Sequence, residues 1–149
     1  MRFWDASAIV PLLIDEPGTR LARGWLRDDP GIVTWALTRL EVARAVERRF
    51  RERRLSGERR RTVLRALESA AERWDEVSDV LPVRSRALAL LARHALRAAD
   101  AAQLGAALLV AEPTPQALTM VCFDRGLADA ARREGLAVLS WPDEPVDRP

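Results

Sequence analysis

Two short apolar runs each end in an aspartate that opens a helical pattern, and this pairing constrains the fold more than any other feature. Phe3-Trp4 leads into Asp5, and Met120-Val121-Cys122-Phe123 leads into Asp124. Further short runs alternate with segments of helical periodicity. Ile32-Val33-Thr34-Trp35 and Ala137-Val138-Leu139-Ser140 read as strands. Asp79-Val80-Leu81-Pro82-Val83 reads as a weaker strand, which its proline sends to a sheet edge or ends early. Strands separated by helices need crossover connections, so the expected fold class is α/β, with a central parallel β-sheet flanked by α-helices.

The helices are predicted over residues 6–14, 19–27, 38–54, 58–74, 85–96, 99–112 and 127–134. Pro11 fits only near the first turn of its helix. The connection over residues 38–78 is long for one crossover and predicts a helical hairpin protruding from the sheet. One domain is expected over residues 1–141, followed by a loose, proline-rich tail over 142–149.

At 149 residues, 48% of them hydrophobic and 31% charged, the chain has enough apolar material for a buried core. No apolar run reaches the length of a membrane helix, and Asp5 interrupts any secretion-signal layout. A single cysteine, Cys122, permits no internal disulfide, so a reducing cytoplasm is the expected location. The net charge of +2 does not announce a nucleic-acid binder. Every basic side chain other than His94 is arginine, however, and residues 44–61 are crowded with them. Interleaved glutamates make a solvated helix face one reading of that segment; a phosphate-binding surface and a protein interface are the others.

In a parallel α/β sheet the strand ends that lead into helices share one edge, where ligands bind. Asp5 and Asp124 belong to that edge, and Glu41 and Asp100 lie near the starts of two other helices. Each acid has a structural reading. Asp5, Asp100 and Asp124 can cap the helices that follow them. Thr38-Arg39-Leu40-Glu41 fits a capping box. As a set they have a functional reading too, because clustered carboxylates repel unless a cation holds them, and hard divalent ions prefer oxygen ligands. The partial positive charge of the helix ends is expected to keep these acids ionised.

Four phrases carry a further likeness. Phe3-Trp4-Asp5-Ala6-Ser7-Ala8, Thr38-Arg39-Leu40-Glu41-Val42, Arg97-Ala98-Ala99-Asp100-Ala101 and Phe123-Asp124-Arg125-Gly126-Leu127 resemble the acidic motifs of PIN-domain ribonucleases. More narrowly, they resemble VapC toxins of VapBC type II toxin–antitoxin systems. The resemblance implies a PIN-like fold and a Mg²⁺- or Mn²⁺-dependent endoribonuclease site. Asp5, Glu41, Asp100 and Asp124 would be its catalytic and metal-binding acids, with Ser7 supporting them. It further implies an RNA substrate such as tRNA or rRNA, a small VapB-type antitoxin and a homodimer. Gln103 stands where relatives often carry histidine, and Gly105 where alanine is usual.

Rival readings are an RNA-processing PIN nuclease outside any toxin pair, and a non-catalytic RNA- or protein-binding PIN domain. Aspartyl-phosphate chemistry fits poorly. A second aspartate two residues after the first is replaced by Ser7, and a receiver-type lysine is absent from the sequence. His94, on an alanine- and leucine-rich helix, is expected to be structural or at the surface. Trp25, Trp35 and Trp74 are expected to pack in the core.

Overall fold

The computed structural model describes residues 1–142; the greater part of the tail expected over 142–149 lies outside the described residues. The elements in chain order are β1 (Arg2–Trp4), α1 (Ala6–Leu13), α2 (Thr19–Asp28), β2 (Ile32–Trp35), α3 (Thr38–Arg51), α4 (Gly57–Ala71) and β3 (Asp75–Val77). They continue with α5 (Val80–Arg93), α6 (Ala98–Ala111), a 3₁₀ turn (Pro115–Ala117), β4 (Thr119–Val121), α7 (Arg125–Arg133) and β5 (Ala137–Leu139). The five strands form one sheet in the order β3-β2-β1-β4-β5, and every pairing is parallel.

Successive strand residues face opposite sides of the sheet, and this alternation divides the core in two. Phe3, Val33, Trp35 and Met120 pack with buried residues of α5, α6 and α7. Trp4, Ile32 and Val121 pack with α1, α3 and α4 on the other face. The result is a sheet between two helical layers. The three inner strands, β2, β1 and β4, are buried almost throughout, which explains why they read as largely apolar runs.

The helical hairpin is α3 and α4. Val42, Val46, Val63 and Leu67 anchor it in the second core cluster, while residues 51–54 at its tip are exposed. One strand differs from the sequence reading. Asp79–Val83 is not a strand: residues 80–83 begin α5, and the edge strand lies earlier, at Asp75–Val77. Pro82 sits in the first turn of α5, where a missing N–H costs nothing because the first amides of a helix have no partner within it. The charged Asp75 and Glu76 suit an edge, where they discourage further strand pairing. Pro11 also departs from expectation. It is inside α1 beyond the first turn and buried, and the helix ends two residues later.

The chain runs outward from β1 to β2 and β3, then returns through α5 and α6 to β4 on the other side of β1. The switch in direction therefore falls between β1 and β4. At such a point the two connections leave the sheet on opposite faces and open a crevice at the carboxyl ends of the strands. Asp5 follows β1 and Asp124 follows β4.

Candidate active site

A cavity of about 470 Å³ opens at this crevice, and Asp5, Ser7, Glu41, Asp100 and Asp124 all line it. Asp5 and Asp100 are buried, Glu41 is partly buried and Asp124 is the more open of the set. The acids arrive from separate elements: the β1–α1 junction, α3, α6 and the β4–α7 junction.

Asp5 has both of the roles open to it in the sequence. It is the N-cap of α1, accepting from the Ser7 amide at 3.0 Å, and it also faces the cavity. Ser7 ties the two junctions together. Its hydroxyl donates to Asp5 Oδ2 and accepts from the amides of Phe123 at 2.9 Å and Asp124 at 3.3 Å. Asp124 in turn caps α7 through Leu127 N at 2.8 Å.

Glu41 does not close a capping box. Thr38 is already inside α3, whose N-cap is Leu37, and no side chain caps that helix. Glu41 instead accepts from Gln103 Nε2 at 3.1 Å, and the Gln103 oxygen accepts from the Thr38 hydroxyl at 3.2 Å. Asp100 is not a cap either; it lies in the first turn of α6 behind Arg97. The Arg97 guanidinium donates to both Asp100 oxygens, at 2.9 and 3.3 Å, and reaches Asp124 at 4.0 Å. Sequence reasoning assigned no role to Arg97. Its i,i+3 spacing to Asp100 was the one local signal available.

The expectation that helix ends keep the acids ionised meets an opposing effect at two of them. Burial pushes the Asp5 carboxyl above its ordinary value, against the pull of the Ser7 hydrogen bonds, and the nearby Asp100 charge adds to the rise. Burial likewise carries Glu41 up to about 7, and the charges of Asp5 and Asp100 reinforce it while Gln103 opposes. Desolvation outweighs the helix-end field here. Among the described residues, no three acidic, histidine or cysteine side chains close on one point as a finished metal cage does. The donor set nevertheless fits a hard divalent cation: all its ligands are oxygens, and two carboxylates whose charged forms burial disfavours gain from a positive charge between them.

The cavity is not wholly acidic. Arg44, Arg48 and Arg49 line its α3 wall. Arg49 is held by Glu16 at 2.5 Å. Other arginines of the crowded segment are engaged elsewhere, Arg60 with both Glu47 oxygens at 2.8 and 2.6 Å. Cys122 is buried beside Asp5, and burial raises its thiol well above the ordinary range, so it is inert as a nucleophile. His94 lies apart from the cleft, against Glu134 at 2.6 Å. Trp35 is buried as expected, whereas Trp25 and Trp74 are only partly so.

A parallel α/β domain with acids from four separate elements at its switch point is a distinct class of architecture. The sequence model of the PIN domain matches residues 2–133, and the chain belongs to that family, with the fold of PIN-domain nucleases. Solved structures agree on the fold. The chain is similar to FitAcB from Neisseria gonorrhoeae, with 21% identity over 93% of this chain and 96% of that one, at a TM-score of 0.65. FitAB bound to a DNA fragment matches at 20% identity over 94% of each chain, with a TM-score of 0.61. PAE2754 from Pyrobaculum aerophilum matches at 21% identity over 92% of this chain and 87% of that one, with a TM-score of 0.62. No curated protein matches the chain. Among the described residues, no helix is long and apolar enough to cross a membrane.

Proposed function

We propose that this protein is a Mg²⁺- or Mn²⁺-dependent endoribonuclease, acting as a VapC-type toxin that a VapB-type antitoxin restrains, and working as a homodimer. One observation carries the reading: Asp5, Glu41, Asp100 and Asp124, distant in sequence, line a single cavity at the sheet's switch point. Asp5, Glu41 and Asp100 would hold the cation, with Asp124 at its open side. A bound divalent ion supplies an activated water and offsets charge on the phosphate and leaving oxygen.

The chain's own groups prepare the rest. Ser7 fixes Asp5 relative to the β4–α7 junction. Gln103 turns Glu41 away from its own helix and into the cleft. Arg44 and Arg48 give an incoming phosphodiester a positive wall, which the acids alone would repel. The toxin role is supported by the likeness of all four acidic phrases to VapC, and by near full-length similarity in fold to FitAcB and FitAB.

The test is cleavage of single-stranded RNA and tRNA with Mg²⁺ or Mn²⁺, stopped by chelation and lost in Asp5→Asn. Intact RNA with either ion would sink the nuclease reading. Induced expression in a bacterial host should arrest growth, and Asp5→Asn should relieve it. Cleavage without arrest would favour RNA processing outside a toxin pair; arrest surviving Asp5→Asn would favour binding. Sequencing the cut ends identifies the RNA.

A further inference from the structure

Beside the acidic cleft lies a second cavity, of about 320 Å³, with an aromatic wall formed by Phe123 and Trp141. The two cavities share Ser7, Glu16 and Asp124, so they adjoin. We propose that this second cavity is a subsite for one unpaired nucleobase of the RNA, next to the phosphate that is cut. The inference deepens the nuclease reading and rests on it.

The aromatic wall is rigidly built. Trp141 packs on Phe123 with ring centroids 4.4 Å apart, and Trp25 packs on Phe123 at 5.3 Å. The Trp141 indole N–H donates to the Phe123 carbonyl at 3.0 Å, which fixes the indole's orientation. Gly18 backs the Phe123 ring so closely that a Cβ there would come within 2.8 Å of it. Phe123 is buried, whereas Trp141 is only half-buried and lines the cavity. A fixed, accessible aromatic surface is what an unstacked base needs, since every base offers a π-face.

Charge decides which part of a nucleotide enters. Glu16 and Asp124 stand on the side shared with the cleft; Glu16 is already paired with Arg49, and neither carboxylate offers a phosphate a positive partner. A base is neutral, and its amino and imino groups are donors that a carboxylate can accept. The arginines line the first cavity and not the second. The backbone therefore follows the arginine side, and the base turns toward Trp141.

The experiment uses a short single-stranded RNA with a mapped cut and the same RNA made abasic at each nucleotide flanking the cut in turn. At one of the two positions the wild-type protein should lose roughly tenfold in kcat/KM, chiefly through KM. Trp141→Ala should lose as much on intact RNA and nothing further on that abasic RNA, while Trp141→Phe keeps most activity. Equal cleavage of intact and both abasic RNAs overturns the subsite, as do losses that multiply in Trp141→Ala. The abasic comparison stands on the wild-type protein even if Trp141→Ala fails to fold. If wild-type protein cuts no RNA, the nuclease reading fails separately. Tryptophan quenching in chelator by a short single-stranded RNA and by the same strand made abasic throughout, with Trp141→Phe as control, then decides whether the cavity takes a base, and equal quenching by the two ends it.

Discussion

Gln103 donates to Glu41 across 3.1 Å, joining α6 to α3 behind the acidic cleft that Glu41 lines. The same amide accepts from the buried Thr38 hydroxyl, so both ends of the side chain are used. A residue that differs from the usual histidine of the resembled family is thus fully built into the site. Gln103→Leu keeps much of the volume and removes both bonds. It should lower kcat about tenfold, since a hydrogen bond to a charged group contributes roughly 1.5–3 kcal/mol. It should also lower the melting temperature, because the Thr38 hydroxyl is left buried without a partner. Unchanged kcat with Mn²⁺ would show that Glu41 needs no help in facing the cleft.

Glu41 predicts a dependence of stability on pH, and the sign is fixed by the direction of its shift. Its folded value of about 7 stands above the ordinary 4.5, so its contribution to stability is complete below about pH 4.5 and is lost as pH rises through about 7. Asp5 is shifted in the same direction. Metal-free protein should therefore melt lower at pH 8 than at pH 5.5, and Mg²⁺ should recover more at pH 8. Glu41→Gln should flatten the profile. Thermal melts of the two proteins, with and without Mg²⁺, check this; a Mg²⁺ effect that shrinks as pH rises contradicts it.

Ser7 predicts a coupled loss. Its hydroxyl is the only side-chain group bonding Asp5 and the amides of Phe123 and Asp124 at once, among the described residues. Ser7→Ala orphans part-buried amides at a cost of about 1–3 kcal/mol and frees the two junctions to separate. Both the melting temperature and kcat should fall, whereas Ser7→Thr should retain much of each. A melting temperature unchanged by Ser7→Ala would mean that water replaces the hydroxyl without loss.

Much of this was legible in the sequence, and the reasons divide by distance along the chain. Asp5 and Asp124 were readable because each ends an apolar run and begins a helix, a local pattern that the fold preserves. Asp100 was readable as a carboxylate among alanines. The real edge strand, Asp75-Glu76-Val77, was hidden because an edge tolerates charge, while the apolar Val80-Leu81-Pro82-Val83 imitated a strand from the first turn of a helix. The residues around Glu41 did not by themselves decide its orientation. A capping box is judged from four consecutive residues, but its competitor was Gln103, 62 positions away. The raised values of Asp5 and Glu41 were hidden for the same reason, since desolvation is a property of the packed cleft.

Arg97 predicts competition with the cation. Its guanidinium is the neighbour that neutralises Asp100 and approaches Asp124. Arg97→Ala should leave the metal-free cleft more negative and the cation without a rival. The Mg²⁺-induced rise in melting temperature should be larger in Arg97→Ala than in the wild type, and half-saturation should come at lower Mg²⁺. A smaller rise would mean that Arg97 helps to shape the site rather than filling in for the ion.

Gly105 predicts a steric limit where α5 meets α6. A Cβ at this position would lie 3.0 Å from the Val83 carbonyl oxygen and 3.3 Å from the Ala87 amide nitrogen, both of them backbone atoms. Alanine, the residue usual in the resembled family, would therefore have to push two helices apart. The helix-forming advantage of alanine over glycine is about 1 kcal/mol, and overpacking costs about 1–3 kcal/mol. The steric cost should win, because neither neighbour is a side-chain tip that can swing aside. Gly105→Ala should lower the melting temperature by a few degrees and leave the acids in place, so that kcat below the transition changes little. A rise in melting temperature would show that α5 and α6 yield easily, and that helix propensity governs the position.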